Sequence, residues 1–532
     1  MGFVRFQFSI ARIFEITCLR IAKIVKNMYK ERSSYTIRNY HDAIKKLQCL
    51  QSNGTYIKIN ANNPTRNVAK LKDMEKYLNR SGISLEQLDE LSVIHVAGTK
   101  GKGSVCAFTE SILRAHGFKT GFYSSPHLIT VKERFRINGN PIDERDFAYY
   151  FWNLYKKLDN LKEFESDMPM YFKFLTILMF NMFLRENIDV AIIEVGIGGE
   201  YDSTNVIRNP VCVGITSLAL EHTSILGNTI EEIAYQKAGI FKPNTIAFTV
   251  PQQKEALEIL KQRAIERQTV LNVTPSFQDY KWKNNVLNNT RFSQIQQQNA
   301  SLAIQLAIQW MQSRMNPNHS LIINKKLNNN LESNNVQTNN IKGNNIEEEK
   351  YISFEKITSA LSRCVWPGRQ EILKGTLFDF YLDGAHTMES MDCCISWFSN
   401  QIENVNGKRY LIFNMIGKRN VSPFIKSLKK IQFHKVYFVP NLSGIPEVDI
   451  QSTTISINEQ KNKCQEYCKM WGEHSVVAEN VMEIFNDIKM EHAVEKANIS
   501  KDRSQILITG SLHLVGAALA ILDPNLTMTT KF

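Results

Sequence analysis

An α/β chain built on two parallel sheets is predicted by three observations. The apolar run Val93-Ile94-His95-Val96-Ala97 passes through Gly98-Thr99-Lys100-Gly101-Lys102-Gly103-Ser104 into a helix-like stretch, residues 105–115. Short apolar runs at 190–195 and 211–218 alternate with amphipathic segments at 255–267 and 296–312, the pattern of strands buried on both faces and the helices that cover them. Beyond an asparagine-rich break, runs at 381–382, 410–413, 436–439 and 506–508 repeat the alternation on a smaller scale.

With 532 residues the chain exceeds what one core holds, so two domains with tails are expected. Residues 1–35 form a basic leader, in which Arg5, Arg12, Arg20, Lys23, Lys26, Lys30 and Arg32 face only Glu15 and Glu31 among Phe, Ile and Leu. This looks like a mitochondrial transit peptide, with an ordinary basic amphipathic helix as the alternative. Met28 offers an alternative start and hence a cytoplasmic form. The first domain is expected over 36–315. Residues 316–350, with Asn328-Asn329-Asn330 and Asn334-Asn335, carry too few large apolar side chains to offset their ordering entropy, and read as a disordered insertion. Residues 351–365 read as an interdomain linker and 366–532 as the second domain.

The net charge of +12 is spread along the chain with acidic residues interleaved, which favours a solvated surface, or attraction of a small polyanion, over a nucleic-acid footprint. The longest apolar run, 174–184, is about half of what a spanning helix needs and contains Thr176 and Asn181, so no stable membrane insertion is expected. Nine cysteines without a CxxC or Cys/His ligand spacing read as free thiols.

The chemistry begins at the glycine-rich turn. Glycines let backbone N–H groups converge on an anion, the helix N-terminus adds partial positive charge, and Lys102 can reach the outer phosphates of a nucleotide. The strict P-loop spacing is absent, because Val96 stands where the first glycine would be and Gly103 follows Lys102 in place of a hydroxyl. Ser125 follows the apolar Gly121-Phe122-Tyr123, at the ligand edge of an open sheet, and is a candidate metal ligand or a plain turn serine. Glu194 ends the buried run and precedes glycines, where a carboxylate commonly holds a divalent cation and otherwise caps or pairs. His222 follows the next strand and reads alone as a surface-loop histidine. Lys237 sits among apolar residues on a helix closing near Gly239; a solvated charge is the bland reading, and burial would demand a partner or a chemical change.

Together these motifs resemble the ATPase domain of the Mur ligase superfamily and, within it, the folylpolyglutamate synthase family. Tyr40-His41-Asp42-Ala43, Leu50-Gln51-Ser52-Asn53 and Tyr171-Phe172-Lys173-Phe174-Leu175-Thr176 look like its eukaryotic branch. Trp366-Pro367-Gly368-Arg369, Leu382-Asp383-Gly384-Ala385-His386-Thr387 and Thr509-Gly510-Ser511-Leu512-His513 also look like family signatures. The resemblance implies a P-loop Mur-ligase-type ATPase domain with a parallel-rich sheet plus a smaller Rossmann-like α/β C-terminal domain.

It further implies that Thr99, Lys100, Gly101, Lys102, Gly103, Ser104 and Asn299 hold ATP, that Ser125, Glu194 and His222 hold Mg2+, and that Arg369 and Asp383 reach ATP from the second domain with His386 beside them. A monovalent cation such as K+ is an implied stimulant, and Lys237 is implied to be carbamylated. His127, Leu128 and residues 133–136 resemble the border of the folate pocket. The implied reaction is ATP-dependent ligation of L-glutamate to the γ-carboxyl of a reduced folate through an acyl phosphate, by a monomer with no nucleic-acid partner. A dihydrofolate synthase or bifunctional enzyme acting on dihydropteroate is the alternative, and a non-catalytic nucleotide-binding regulator is another. Departures from the family pattern are Glu221 for the usual aspartate, Ile295 for the usual histidine, and Met415-Ile416-Gly417-Lys418-Arg419-Asn420, where Lys418 reverses a charge.

Overall fold

The computed structural model describes residues 32, 34–50, 64–280, 282, 292–315, 352–415, 420–446, 448–449, 456–495 and 503–530. The leader up to residue 31, including Met28, the asparagine-rich segment and Lys418 lie outside the described residues.

Strands β1 (Val93–Ala97), β2 (Thr120–Tyr123), β3 (Phe135–Ile137), β4 (Asn140–Pro141), β5 (Val190–Glu194), β6 (Cys212–Ile215), β7 (Ile246–Thr249) and β8 (Val270–Val273) form one sheet in the order β4-β3-β2-β5-β1-β6-β7-β8. From β2 to β8 all neighbours run parallel, and β3 and β4 close one edge antiparallel. Successive side chains point to opposite faces. Thus Val93, Ala191 and Ile193 pack with Tyr40, Phe147 and Phe174 of the helices Ile37–Gln48, Glu144–Asn160 and Tyr171–Glu186. Ile94, Val96 and Ile192 instead pack with the helices Lys102–Ala115 and Gln294–Met315 on the other face. Because β5 lies on one side of β1 and β6 on the other, the connections diverge there and leave a crevice above the carboxyl ends of the strands.

The linker expected at 351–365 is mostly a helix, Phe354–Arg363, that packs on Lys102–Ala115. Phe354, Ile357, Ala360 and Leu361 fall on one face and join the core beneath the first sheet, and the Ser111 hydroxyl donates to the Ala360 carbonyl at 3.0 Å. The chain therefore leaves the first lobe at Cys364 rather than before it.

The second lobe holds β9 (Glu371–Lys374), β10 (Phe378–Asp383), β11 (Arg409–Phe413), β12 (Lys435–Phe438), β13 (Ser475–Val477) and β14 (Ser504–Thr509), in the order β13-β12-β11-β14-β10-β9. Only the β9–β10 pair is antiparallel. Helices Val481–Glu495 and Leu512–Leu522 cover one face, and Met388–Ile402, Ser422–Leu428 and Ile457–Trp471 the other. The described cysteines are all free thiols. Among the described residues, no helix is long and apolar enough to cross a membrane.

Candidate active site

The carboxyl ends of both sheets open on one cleft of about 950 Å³. On the first lobe, β1 runs into a turn whose Thr99 and Lys100 amides donate to the Ser217 carbonyl at 2.9 and 3.3 Å. Gly101, at φ +90°, starts the helix Lys102–Ala115; a Cβ there would sit 2.2 Å from Asn299 Oδ1, so glycine lets the helix Gln294–Met315 close against the turn. No side chain caps that helix N-terminus, and residues 101–104 line the cleft. Its leading amides are thus available to an anion. The Lys102 ammonium stays over the turn, donating to the Thr99 carbonyl at 3.4 Å.

Glu194 lies beside Val96 in the β1–β5 register, which places its carboxylate next to the turn. Burial raises its proton affinity, the nearby Lys102 charge opposes that rise, and Oε2 accepts the Ser125 N–H at 3.0 Å. His222, at φ +53°, precedes the short helix Thr223–Leu226, and burial holds its imidazole below the usual pKa. Ser125, Glu194 and His222 line the same cleft. No three His, Cys, Asp or Glu side chains converge on a metal-sized site among the described residues. A buried carboxylate with one hydroxyl and one imidazole beside a phosphate turn still fits Mg2+, which takes few protein oxygens and completes its shell with phosphate and water.

Lys237, unlike the candidate phosphate and metal ligands, does not line the cleft. It ends the helix Ile230–Lys237 beneath the turn, 3% exposed, and its Nζ donates to the Gly98 carbonyl at 2.7 Å. Burial, with the Lys102 charge adding to it, pushes its pKa well below that of a free lysine.

The second lobe contributes side chains. Arg369 stands on a turn fixed three ways: the Gly368 N–H donates to Glu371 Oε2 at 2.6 Å, the Gln370 N–H to Asp383 Oδ2 at 3.0 Å, and the Gly384 N–H to the Gly368 carbonyl at 3.2 Å. Asp383 thus shapes the turn that carries Arg369. His386 Nδ1 lies 2.7 Å from the Gly384 carbonyl, and Nε2 lies 3.0 Å from Lys100 Nζ across the cleft. With Nδ1–H donated to the carbonyl, Nε2 is left to accept from Lys100. Lys100 also pairs with Glu221 Oε1 at 2.8 Å, and that oxygen is 3.3 Å from His386 Nε2. Burial alone would raise the Glu221 carboxyl; the Lys100 ammonium holds it well below the usual carboxylate range.

Sequence reasoning placed Lys100 among the phosphate ligands, whereas its ammonium is engaged by this three-residue link between lobes. Glu221, noted only as a departure, is the hub of that link. His127, Leu128 and Arg134 of the expected folate border line the same cleft and bring a basic group to it. Arg134 donates from Nε to His127 Nδ1 at 2.9 Å and lies 5.6 Å over the Tyr171 ring; burial holds the His127 imidazole well below its usual pKa, with the Arg134 charge and His513 of the second lobe adding to it. Tyr171, Phe172, Ile197, Tyr201, Ile225 and Leu226 give the cleft an apolar wall. Trp366 lies at the crossing between lobes, against Gly103 and over Phe122, with Arg136 5.2 Å above its ring.

No family model matches the chain. Curated proteins similar to it include the mitochondrial folylpolyglutamate synthase of Cricetulus griseus, 34% identical with 92% of each chain covered. The mitochondrial folylpolyglutamate synthase of Homo sapiens is also 34% identical, again with 92% of each chain covered. The folylpolyglutamate synthase of Saccharomyces cerevisiae (strain FostersO) is 36% identical, covering 91% of this chain and 87% of that one. Among solved structures, Mycobacterium tuberculosis folylpolyglutamate synthase complexed with ADP matches with a TM-score of 0.65 at 19% identity, over 91% of this chain and 98% of that one. E. coli FolC in complex with DHPP and ADP matches with a TM-score of 0.61 at 22% identity, over 85% of this chain and 93% of that one. At such identities the structural likeness is one of fold.

Proposed function

The chain belongs to the folylpolyglutamate synthase family, ATP-dependent carbon–nitrogen ligases that join L-glutamate to folates, and on that premise we propose how its two lobes divide the work. Residues 101–104, with Asn299, hold the triphosphate on a turn anchored by Thr99 and Lys100, and Lys102 neutralises charge that gathers on the transferred phosphoryl group. The folate carboxylate attacks that group, releasing ADP and forming an acyl phosphate; the glutamate amine then attacks the acyl carbon and inorganic phosphate leaves. Arg369 meets the developing negative charge from the second lobe and His386 holds the Lys100 ammonium in place across the gap, while the closed cleft excludes water that would hydrolyse the activated acid. Ser125, Glu194 and His222 are the proposed holders of Mg2+, which when bound screens the phosphate oxygens and orients them. K+ is a proposed stimulant.

The apolar wall and Arg134 suit a folate with its anionic tail. Dihydropteroate as the substrate is the less favoured alternative, since the mammalian and yeast relatives are named folylpolyglutamate synthases. The single observation that carries the division of labour is the Lys100–Glu221–His386 link, because it joins the phosphate turn of one lobe to the strand end of the other. Since one chain supplies both edges, a monomer suffices.

Lys237 is proposed to react with CO2, its neutral amine forming a carbamate with release of a proton, which would convert a buried base into an oxygen ligand. Intact mass under bicarbonate should then rise by one CO2, and K237R should not show it. Localisation to mitochondria is proposed from the basic leader and the names of the mammalian relatives, with a cytoplasmic form starting at Met28. The test of the whole reading is glutamate incorporation by the purified chain with ATP, magnesium and a panel of pteroates. Incorporation on tetrahydrofolate is expected, and turnover confined to dihydropteroate would overturn it.

A further inference from the structure

Between β2 and β3 the first lobe sends a loop across the boundary. Ile129, 5% exposed, belongs to the hydrophobic core of the second lobe, among Ile506, Ile508, Leu514 and Val515, and Leu128 packs against that core. The second lobe is shaped to receive it. A Cβ on Gly516, within the helix Leu512–Leu522, would lie 2.0 Å from the Leu128 carbonyl oxygen, and one on Gly368 would lie 3.2 Å from both Leu128 δ-carbons. Any larger residue at 516 would expel the leucine backbone from its seat.

The same loop is stiff. The Glu133 carboxylate accepts the N–H groups of Leu128, Ile129 and Thr130 at 2.9, 2.8 and 2.5 Å, and the Arg134 carbonyl accepts the Ser124 N–H at 3.1 Å. Arg134 in turn holds His127 at 2.9 Å. Ser125, His127 and Arg134, on either side of the seated leucine, all line the cleft, which Leu128 itself also touches. A rigid loop with its middle fixed in one lobe and its ends facing the cleft of the other transmits relative movement instead of absorbing it.

We propose that Leu128 and Ile129 form a ball joint through which the second lobe sets the position of the loop bearing Ser125, His127 and Arg134. Closure would then bring Arg369 and His386 in and, in the same motion, register Ser125 against Glu194 and Arg134 against the substrate. Leu128 is a positioning residue on this account. The proposal rests on the reading that Ser125 and Arg134 face metal and substrate.

The test uses the full chain and a graded series, L128M, L128V and L128A, reading kcat for glutamate incorporation, nucleotide Kd and thermal midpoint together. L128A should lower kcat about a hundredfold while nucleotide Kd stays within about twofold, and L128M should return to within about threefold of the parent. G516A, which attacks the seat from the opposite lobe, should show the same split between turnover and nucleotide binding. A kcat for L128A within about twofold of the parent overturns the joint. So does a series in which turnover and nucleotide binding fall in step with the thermal midpoint, since packing alone explains that. Parental activity in both S125A and R134A would remove the underlying reading instead, whatever L128A does.

Discussion

The two lobes are the same architecture turned to different uses. Each is a parallel sheet with helices on both faces, and each presents the carboxyl ends of its central strands to the cleft. The first lobe presents backbone: a glycine turn and an uncapped helix N-terminus, with Lys102 and Glu194 beside them. On the second lobe the corresponding edge presents side chains, Arg369 and His386, on turns held by Asp383, Glu371 and Gly384. A backbone cradle can be complete within one lobe, whereas His386 finds its partners, Lys100 and Glu221, only across the gap. Nucleotide binding should therefore rest mainly on the first lobe, with Arg369 reaching the nucleotide from the second, and turnover on both.

The largest effect that would break this contrast concerns Lys102. K102A should weaken nucleotide binding and lower glutamate incorporation by about 10²–10³-fold, measured by calorimetry and isotope incorporation. Intact nucleotide affinity would move the triphosphate elsewhere. Next, the boundary between the lobes can be sharpened. I357A removes a fully buried side chain from the helix Phe354–Arg363 and should destabilise the first lobe by about 2–5 kcal/mol in denaturant unfolding. A loss below about 0.5 kcal/mol would return that helix to the role of a linker.

The smallest effect is a pH dependence confined to the second lobe. Burial pushes the Glu371 carboxyl up to about 7, opposed by the bond from the Gly368 N–H. A carboxyl whose folded pKa lies above its unfolded value, about 4.3, is protonated more readily when folded. Its contribution to stability therefore falls as pH rises between those two values and is flat above the higher one. E371Q should flatten that part of the stability profile of the second lobe, followed by thermal midpoint against pH. An unchanged slope would mean that Glu371 is not the group responsible.

Much of this was legible in the residues themselves. The runs at 190–195 and 410–413 mark β5 and β11 because apolar residues of strand length, broken in the first only by Glu194 at the strand's end, suit a sheet covered on both faces. The phosphate turn was legible because its glycines and its lysine lie within a few positions of each other. Phe354, Ile357, Ala360 and Leu361 carried a helical period, but the asparagine-rich neighbourhood masked it and suggested a linker. The Lys100–Glu221–His386 link left no local trace, since its members lie far apart in sequence and meet only when the lobes face each other. Leu128 was legible only as part of the folate border, and the seat of Leu128 and Ile129 in the second lobe was not, since an apolar pair in a loop does not say which core it enters.

The most direct measurement compares H386A with the parent chain for nucleotide affinity and for glutamate incorporation in one buffer. The expected result is a nucleotide Kd within about twofold of the parent with incorporation reduced at least about tenfold. Incorporation at the parental rate, or a loss of nucleotide affinity as large as that of K102A, would contradict the assignment of nucleotide binding mainly to the first lobe and of turnover to both.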